Sequence, residues 1–242
     1  MSRQREYWDL LSELGGSQSV FDPKDRFGKK NAYIKYLRDK ELERFFGKNS
    51  RDRYVLDFGC GSGNISATLN SQGINTLGID ISSGLLKVAK AQSSHEAANF
   101  CQFDGLNLPL AEEIFSDIVV YVVFSYIKND QDLRTVLSQL YACLEEGGSF
   151  LLIEQTRRIQ KEVDEHKVIR TKDFYLELFS ESGFECDECR DMRSGRFLPL
   201  YLLSLGVSLP YDGLHKWEVF QNNVIPSPIW DYRETVFEFR KV

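Results

Sequence analysis

Residues 54–63, YVLDFGCGSG, decide the fold of this 242-residue chain. The first five residues form a short, mostly apolar run, which predicts a buried strand. Gly59, Gly61 and Gly63 follow at once, and a helical pattern begins at Asn64. Glycines between a strand and a helix let the backbone turn tightly and approach a ligand at the carboxyl end of the strand. The stretch therefore predicts a nucleotide-type site at the edge of a parallel sheet.

The spacing of the motif narrows the type of ligand. A dinucleotide fingerprint G-x-G-x-x-G would place its third glycine at position 64, which is Asn64 here, so a pyrophosphate fits less well. Asp80 ends the next β-rich run, 21 residues after Gly59, where a carboxylate can accept both hydroxyls of a ribose. The alternatives are a plain turn for the glycines and a helix cap for Asp80, although Ser82 or Ser83 could supply that cap.

Four further β-rich runs follow, at 74–80, 98–103, 117–123 and 149–154, and amphipathic segments separate them. This alternation predicts a doubly wound α/β fold with a parallel sheet. Beyond residue 154 the sequence predicts strands at 183–192 and 235–242, and helices near 171–182, 197–205 and 212–223.

We expect one domain in three parts. Residues 1–50 would form an N-terminal helical cap, and 51–191 with 234–242 the core sheet. The insertion at 192–233 is too long for a turn and is expected to be a substrate-binding lid whose aromatic residues include Trp230. Packing of its apolar helix onto the sheet or a second subunit is the alternative.

Composition excludes several classes of protein. The net charge of −6 and the interspersed charges disfavour a nucleic-acid partner, which would need a basic stripe. The longest charge-free stretch, 197–211, is shorter than the roughly 20 apolar residues of a membrane span, while peripheral membrane contact stays open. Five scattered cysteines and an N-terminus without a signal-peptide pattern predict a cytoplasmic protein. Cys186 and Cys189 have no second pair at ligand spacing, so no metal site is expected.

Five segments in order, VLDFGCGSG, LGID, CQFDG, FSDIVVYVVFSYI and LEEGGSFLLIE, resemble the successive motifs of the class I S-adenosylmethionine-dependent methyltransferases. The resemblance covers about residues 50–155. It implies a seven-stranded sheet whose last strand is antiparallel. It also implies S-adenosyl-L-methionine as the cofactor, S-adenosyl-L-homocysteine as the product and a small-molecule acceptor.

The same resemblance assigns residues to parts of the cofactor. It implies the following set: Gly59, Cys60 and Gly61 along the methionine portion, Asp57 beneath it, Tyr121 contacting it through the backbone, Asp80 on the ribose, Ile81 and Phe103 flanking adenine, and Asp104 accepting from the adenine amino group.

The N-terminal cap holds two further candidates. Tyr7, Trp8 and Leu11 have helical spacing, which predicts that they face the core. Arg26 lies in a loop-like segment that could fold over the cofactor, where its guanidinium could pair with the methionine carboxylate. A solvated charge is the alternative for Arg26.

A hydroxyl acceptor must lose its proton, so a base close to it would help. Glu154, at the end of the fifth strand, is the first candidate, with a helix cap or a salt bridge to Arg157 as the alternative. Tyr126 occupies a position where many relatives carry histidine. His215 is the histidine of the predicted lid, although a lid histidine can simply face solvent.

The sequence therefore predicts methyl transfer to oxygen or nitrogen of a small molecule, with a sugar, a glycolipid or another metabolite as the acceptor. Two alternatives remain: a nicotinamide-dependent oxidoreductase, which the missing glycine at position 64 disfavours, and a non-catalytic module that binds the cofactor. A homodimer also stays open.

Overall fold

The computed structural model describes residues 2–13, 25–47, 53–93, 99–195, 198–224 and 231–242. Trp230 and parts of the predicted lid, 196–197 and 225–230, lie outside the described residues. The helices are α1 (Ser2–Ser12), α2 (Lys29–Phe46), α3 (Asn64–Ser71), α4 (Ser83–Gln92), α5 (Asp130–Cys143), α6 (Lys172–Glu181), α7 (Leu198–Ser204) and α8 (Tyr211–Val224). The strands are β1 (Tyr54–Phe58), β2 (Asn75–Asp80), β3 (Asn99–Gln102), β4 (Phe115–Tyr121), β5 (Leu144–Arg157), β6 (Lys161–Glu162), β7 (Val168–Thr171), β8 (Phe184–Ser194) and β9 (Arg233–Lys241).

Seven strands form the main sheet in the order β3-β2-β1-β4-β5-β9-β8. The first five strands are parallel to one another, and β9 runs antiparallel to both β5 and β8. This arrangement confirms the predicted α/β fold and its antiparallel last strand. The short strands β6 and β7 were not predicted. They extend the sheet beside the end of β5, where Thr156 pairs with Arg170.

The apolar runs of the central strands divide their side chains between two cores. Ile118 and Val120 of β4 pack in the core that faces α5 and α6, while Val119 between them packs in the core that faces α2. Successive side chains of a strand point to opposite faces, so a sheet covered by helices on both sides needs apolar residues at every position. That requirement explains why these strands read as continuous apolar runs.

The excursion between β8 and β9 packs largely against α2. Leu200, Leu203 and Leu214 join the same core as Leu37 of α2. Glu218 of α8 is fully buried: one of its carboxylate oxygens accepts a hydrogen bond from the Tyr33 hydroxyl at 2.9 Å, and the other accepts one from the Ser194 N–H at 2.9 Å. Within the described ranges, no helix is long and apolar enough to cross a membrane.

Candidate active site

A cavity opens at the carboxyl ends of β1, β2 and β4, and it encloses about 1050 Å³ of space, part of it open to solvent. Parallel strands bring their carboxyl ends to one edge of the sheet, which is the usual ligand site of doubly wound folds. The lining residues come from the glycine loop, the ends of the three strands, the loops after β3 and β4, the first turns of α3 and α4, and the two N-terminal helices. They are Gln4, Trp8, Arg38, Asp57, Phe58, Gly59, Cys60, Gly61, Asn64, Ile65, Asp80, Ile81, Leu85, Phe103, Gly105, Tyr121, Val122, Val123, Tyr126 and Ile127.

The glycine loop needs glycine for conformation and for space. Gly59 and Gly61 have φ of 71° and 54°, in the left-handed region that side chains disfavour. A Cβ on Gly59 would also lie 2.4 Å from a methyl carbon of Val123. The Gly59 and Cys60 N–H groups donate to the Ile79 carbonyl at 2.8 and 3.0 Å, which ties the loop to the end of β2. The loop therefore leaves its inner side open to a ligand.

Asp80 connects the loop to the next helix. Its Oδ2 accepts a hydrogen bond from Gly61 N–H at 2.9 Å, and its Oδ1 accepts one from Ser82 N–H at 2.8 Å. Burial raises the pKa of this carboxyl to about 6. Each carboxylate oxygen can accept more than one hydrogen bond, so Asp80 can also receive two hydroxyls from the cavity. The cap of α4 is Ser82, whose side chain accepts from Leu85 N–H at 3.1 Å.

Asp57 supports the loop from below. Its Oδ2 accepts hydrogen bonds from Ser66 N–H at 3.0 Å and from the Ser66 hydroxyl at 2.7 Å, which fixes the start of α3. Burial raises the pKa of the Asp57 carboxyl to about 6. The hydrogen bonds from Ser66 and the positive charge of the nearby Arg38 act in the opposite direction and favour the ionised form. Two carboxyl groups with raised pKa values thus lie on one side of the cavity.

Arg38, on α2, places a positive charge at the cavity. It lines the cavity and is only 3% exposed. Its Nε and Nη2 donate to Asp39 Oδ1 at 3.0 and 2.6 Å, and its guanidinium carbon lies 5.6 Å from the centre of the Tyr121 ring. Arg26 is exposed and does not line the cavity, so that assignment was wrong in its position. Nothing in the sequence distinguishes Arg38 from an ordinary surface residue of an amphipathic helix.

Helix α1 covers one side of the cavity, where Gln4 and Trp8 line it. The Trp8 ring meets Tyr126 edge-on, with centroids 4.9 Å apart, and the Tyr7 ring stacks on His166 at 4.2 Å. Asp9 Oδ1 accepts hydrogen bonds from the Ser82 hydroxyl and from Gly84 N–H, at 2.6 and 3.1 Å. Trp8 was predicted to face the core and instead faces the cavity, because α1 packs over the ligand edge of the sheet.

Comparison with known proteins agrees with this geometry. A family model described as "Methyltransferase domain" matches residues 56–152. This match supports the predicted class I S-adenosylmethionine-dependent methyltransferase domain. The match begins at β1 and ends within β5, so it covers the strands that carry the glycine loop, Asp80 and Tyr121.

Individual relatives of this methyltransferase domain are distant. A putative methyltransferase of Geobacillus sp. (strain WCH70) is 26% identical over 119 residues, 46% of this chain and 45% of the relative. A ubiquinone/menaquinone biosynthesis C-methyltransferase of Desulfotalea psychrophila is 27% identical over 154 residues, 61% of each chain. The chain thus spans about half the length of the curated relatives that it matches. The solved structure of a geranyl diphosphate methyltransferase with GPP and sinefungin aligns with a TM-score of 0.70 at 13% identity, over 100% of this chain and 99% of that one, which shows a shared fold.

The loop after β4 forms the far side of the cavity in the methyltransferase domain. Val122 has φ of 53°, which is a strained conformation for a β-branched residue and costs on the order of 1–3 kcal/mol. Its N–H donates to Ile153 O at 2.8 Å. Glu154 is fully buried, with Oε2 accepting from Ser125 N–H at 3.1 Å and Oε1 from Gln155 N–H at 2.9 Å. Glu154 therefore holds this loop in place and does not line the cavity, in contrast to its expected role as the base.

Tyr126 ends the 3-10 turn of this loop and does line the cavity. The Lys167 ammonium donates a hydrogen bond to the Tyr126 oxygen at 3.3 Å and lies 4.6 Å from the centre of its ring. Burial raises the pKa of the Tyr126 phenol and lowers the pKa of Lys167. Lys167 belongs to the hairpin of β6 and β7, which the sequence did not reveal, so its role could not be predicted.

Two further predicted residues are Asp104, which lies between two residues that line the cavity, and His215. Asp104 is exposed, and its carboxylate accepts from the N–H groups of Leu106 and Asn107 at 2.8 and 2.7 Å, which lowers its pKa to about 2. His215 lies half-buried on α8 near Lys40 and Asp212, and burial lowers its pKa. Neither side chain is among those that line the cavity. The neighbouring predicted residues Ile81 and Phe103 do line it.

Proposed function

We propose that this protein binds S-adenosylmethionine in the cavity and transfers its methyl group to a hydroxylated aromatic small molecule. The observation that carries the proposal is the Asp80 carboxylate, which lines the cavity beside the glycine loop and keeps free acceptor capacity on both oxygens. A carboxylate at this position of a doubly wound fold suits a ribose bound over the loop.

The other lining residues fit the remaining parts of the cofactor. Ile81 and Phe103 provide apolar surface for adenine, and the open side of the glycine loop suits the methionine chain. In our proposal Arg38 takes the role first assigned to Arg26 and pairs with the methionine carboxylate. A buried guanidinium in contact with an anion gives a strong charge-assisted hydrogen bond.

When bound, the cofactor supplies an electrophilic methyl group on a sulfonium, and the protein has to orient the acceptor in line with it. The rings of Trp8 and Tyr126, in edge-on contact, give the cavity an aromatic surface, and in our proposal this surface faces the acceptor. In the described part of the chain, the only carboxylates that line the cavity are Asp57 and Asp80, both engaged by the loop. An acceptor that is already nucleophilic through an ionised ring hydroxyl therefore suits this site better than an alcohol.

Tyr126 is the residue that we assign to that hydroxyl. Lys167 donates to the Tyr126 oxygen, so the phenol keeps its own proton for donation toward the cavity. Such a hydrogen bond would hold the ring oxygen of the acceptor and stabilise its negative charge. The Desulfotalea psychrophila relative, a C-methyltransferase of quinone biosynthesis by its name, supports an aromatic acceptor.

The experiment has two stages, binding and transfer. Calorimetry should show binding of S-adenosylmethionine and S-adenosylhomocysteine but not of NADH. If neither S-adenosylmethionine nor S-adenosylhomocysteine binds, the whole proposal is contradicted. Labelled methyl groups should then pass to naphthohydroquinone and not to phosphoethanolamine or methyl glucoside. Transfer to the sugar or the amine would overturn the acceptor class alone, and binding with no transfer to any of the three would favour the non-catalytic alternative.

Arg38 and Arg26 give a matched pair of variants. Arg38→Met should weaken S-adenosylmethionine binding at least tenfold, since a charge-assisted hydrogen bond is worth roughly 1.5–3 kcal/mol. Arg26→Met should change affinity by less than twofold, because Arg26 is exposed away from the cavity. Equal effects of the two variants would remove Arg38 from the site.

A further inference from the structure

Helix α7 and the turn after it carry apolar side chains on two opposite faces. Leu200 and Leu203 are buried against the core that includes α2. The outer face shows Leu198, Tyr201, Leu202 and Leu205, spaced i, i+3, i+4 and i+7, with Leu205 72% and Leu198 63% exposed. A helix that is apolar all round normally has a second partner. Among the residues that the structure describes, nothing covers this outer face.

Two neighbouring side chains extend this face. Phe27 is 60% exposed. Its ring lies against Gly206, since a Cβ added to Gly206 would be 3.1 Å from a ring carbon of Phe27. Val207 is also exposed. We refer to these six residues, Phe27, Leu198, Tyr201, Leu202, Leu205 and Val207, as the α7 patch. Lys29 fixes the edge of the patch by donating to the Gly206 carbonyl and to the Ser208 hydroxyl.

The charge around the α7 patch is positive on a chain whose net charge is −6. Residues 198–210 contain no charged side chain. Of the five cationic side chains at 26–38, Arg38 lines the cavity and Lys35 lies 3.8 Å from Asp39, which leaves Arg26, Lys29 and Lys30 as the cations beside the patch. Lys29 and Lys30 begin α2, at the end of a helix where the macrodipole is positive and acidic side chains are usually favoured. The Asp25 carboxylate accepts from Asn31 N–H at 2.8 Å and offsets part of this positive charge, and an anionic surface next to this end of α2 would offset the rest.

We propose that the α7 patch docks on the surface of an anionic phospholipid bilayer. The exposed leucines and Phe27 would enter the boundary between headgroups and acyl chains, and Arg26 and Lys29 would lie at the level of the lipid phosphates. A second copy of the chain is a poorer occupant, because a two-fold contact through this patch would bring the same cations of both copies together. This inference does not depend on the acceptor.

Vesicle co-sedimentation of the full chain tests the proposal. We expect binding to vesicles in which about a third of the lipid is phosphatidylglycerol, weak binding to pure phosphatidylcholine, and loss of binding as salt rises. The double variant Tyr201→Ser, Leu205→Ser should reduce the partition coefficient at least tenfold. Arg26→Gln should reduce it about fivefold, because one basic residue near an anionic membrane is worth about that factor.

Ile159→Ser is the matched control, because Ile159 is 79% exposed in the segment between β5 and β6 and is not part of the patch. It should bind vesicles within twofold of the parent protein. All variants should keep their circular dichroism spectrum and their affinity for S-adenosylhomocysteine, since the patch does not line the cavity.

Three results would overturn the proposal. One is a parent protein that stays in the supernatant with anionic vesicles at low salt. Another is a double variant that sediments as well as the Ile159→Ser control. The third is a dimer, measured by light scattering, that the double variant dissociates while vesicle binding is absent, because the occupant would then be a second copy.

Discussion

The two walls of the cavity differ in how far apart along the chain their contacts lie. In the glycine-loop wall, Asp80 binds Gly61 across 19 positions and Asp57 binds Ser66 across 9. In the helical wall, formed by α1 and Arg38 of α2, Asp9 binds Ser82 across 73 positions and Arg5 reaches the Phe103 carbonyl across 98. The first wall is thus set by a local strand-turn-helix unit, while the second depends on the docking of helices from a remote part of the chain.

This difference has a functional meaning. A local unit holds its ligand groups in fixed positions, because each one is tied to the ends of adjacent strands. Helices that dock from a distance can open without disturbing the sheet, and such elements have lower local stability. We therefore expect substitutions in the glycine-loop wall to abolish cofactor binding and substitutions in α1 to act more on the acceptor. Arg38 of α2 is the exception in the helical wall, since we assign it to the methionine carboxylate.

The largest expected effect is that of Gly61→Val. Gly61 has φ of 54° and lines the cavity, so valine would be strained and would also fill the path of the ligand. S-adenosylmethionine binding should become undetectable by calorimetry. Gly73→Val is the control, since Gly73 has φ of 79° with open space around its Cβ and does not line the cavity. The Gly73→Val variant should be less stable but should still bind S-adenosylmethionine. Normal binding by Gly61→Val would mean that the glycine loop is only a turn and not a ligand site.

Asp80→Ala should weaken S-adenosylmethionine binding at least tenfold. The variant removes charge-assisted hydrogen bonds to two ribose hydroxyls, together worth on the order of 1.5–3 kcal/mol. It also removes the acceptor for Gly61 N–H, so the loop loses one of its supports. Calorimetry on a variant with unchanged circular dichroism gives the test, and an unchanged dissociation constant would remove the ribose assignment.

The pKa of Asp80 predicts how binding varies with pH. Burial raises this pKa to about 6, and only the ionised form accepts hydrogen bonds with both oxygens. Affinity should therefore fall as pH decreases below about 6, by up to about tenfold per pH unit. Asp80→Asn should bind weakly with little pH dependence, and a parent affinity that is flat between pH 5 and 7 would contradict the prediction.

Stability without a ligand should change in the opposite direction. The folded pKa of Asp57 and of Asp80, about 6, lies above the ordinary value of 3.8, so the folded protein retains protons that the unfolded chain releases. The free energy of unfolding should decline as pH rises from about 4 to 6, as far as these two groups are concerned. Denaturant titrations of the parent and Asp80→Asn at several pH values would isolate the contribution of Asp80.

The smallest effect on cofactor binding is expected for Trp8→Ala. The Trp8 ring contacts Tyr126 and lines the acceptor side, so the variant should lower turnover of the acceptor severalfold while S-adenosylmethionine affinity changes by less than about threefold. Leu11→Ala on the same helix, whose side chain does not line the cavity, controls for loss of packing by α1. Parallel loss of affinity and turnover in both variants would assign α1 a structural role only.

The sequence predicted the features whose physical cause is local. Strand runs, the glycine turn and the position of Asp80 follow from period, spacing and conformational preference within about 30 residues, and the structure has them where expected. Arg38, Trp8 and Lys167 could not be found in this way, since nothing near them in sequence marks the side of a helix or hairpin that meets the cavity. Glu154 ends a central strand as predicted, but its side chain is fully buried and does not line the cavity, and it accepts hydrogen bonds from the N–H groups of Ser125 and Gln155.

The position of β9 sets an order of events in folding. This strand follows β8 in the chain but lies between β5 and β8 in the sheet, pairing with β5 from Arg233 to Arg240 and with β8 from Arg233 to Lys241. Within the described residues, β8 joins the sheet through β9. The earlier strand can therefore join the sheet only with or after the later one, which makes closure of this half of the sheet a late, non-local step. Until then the edge of β5 is unpaired, and a folding intermediate with that edge exposed is the species most prone to aggregate.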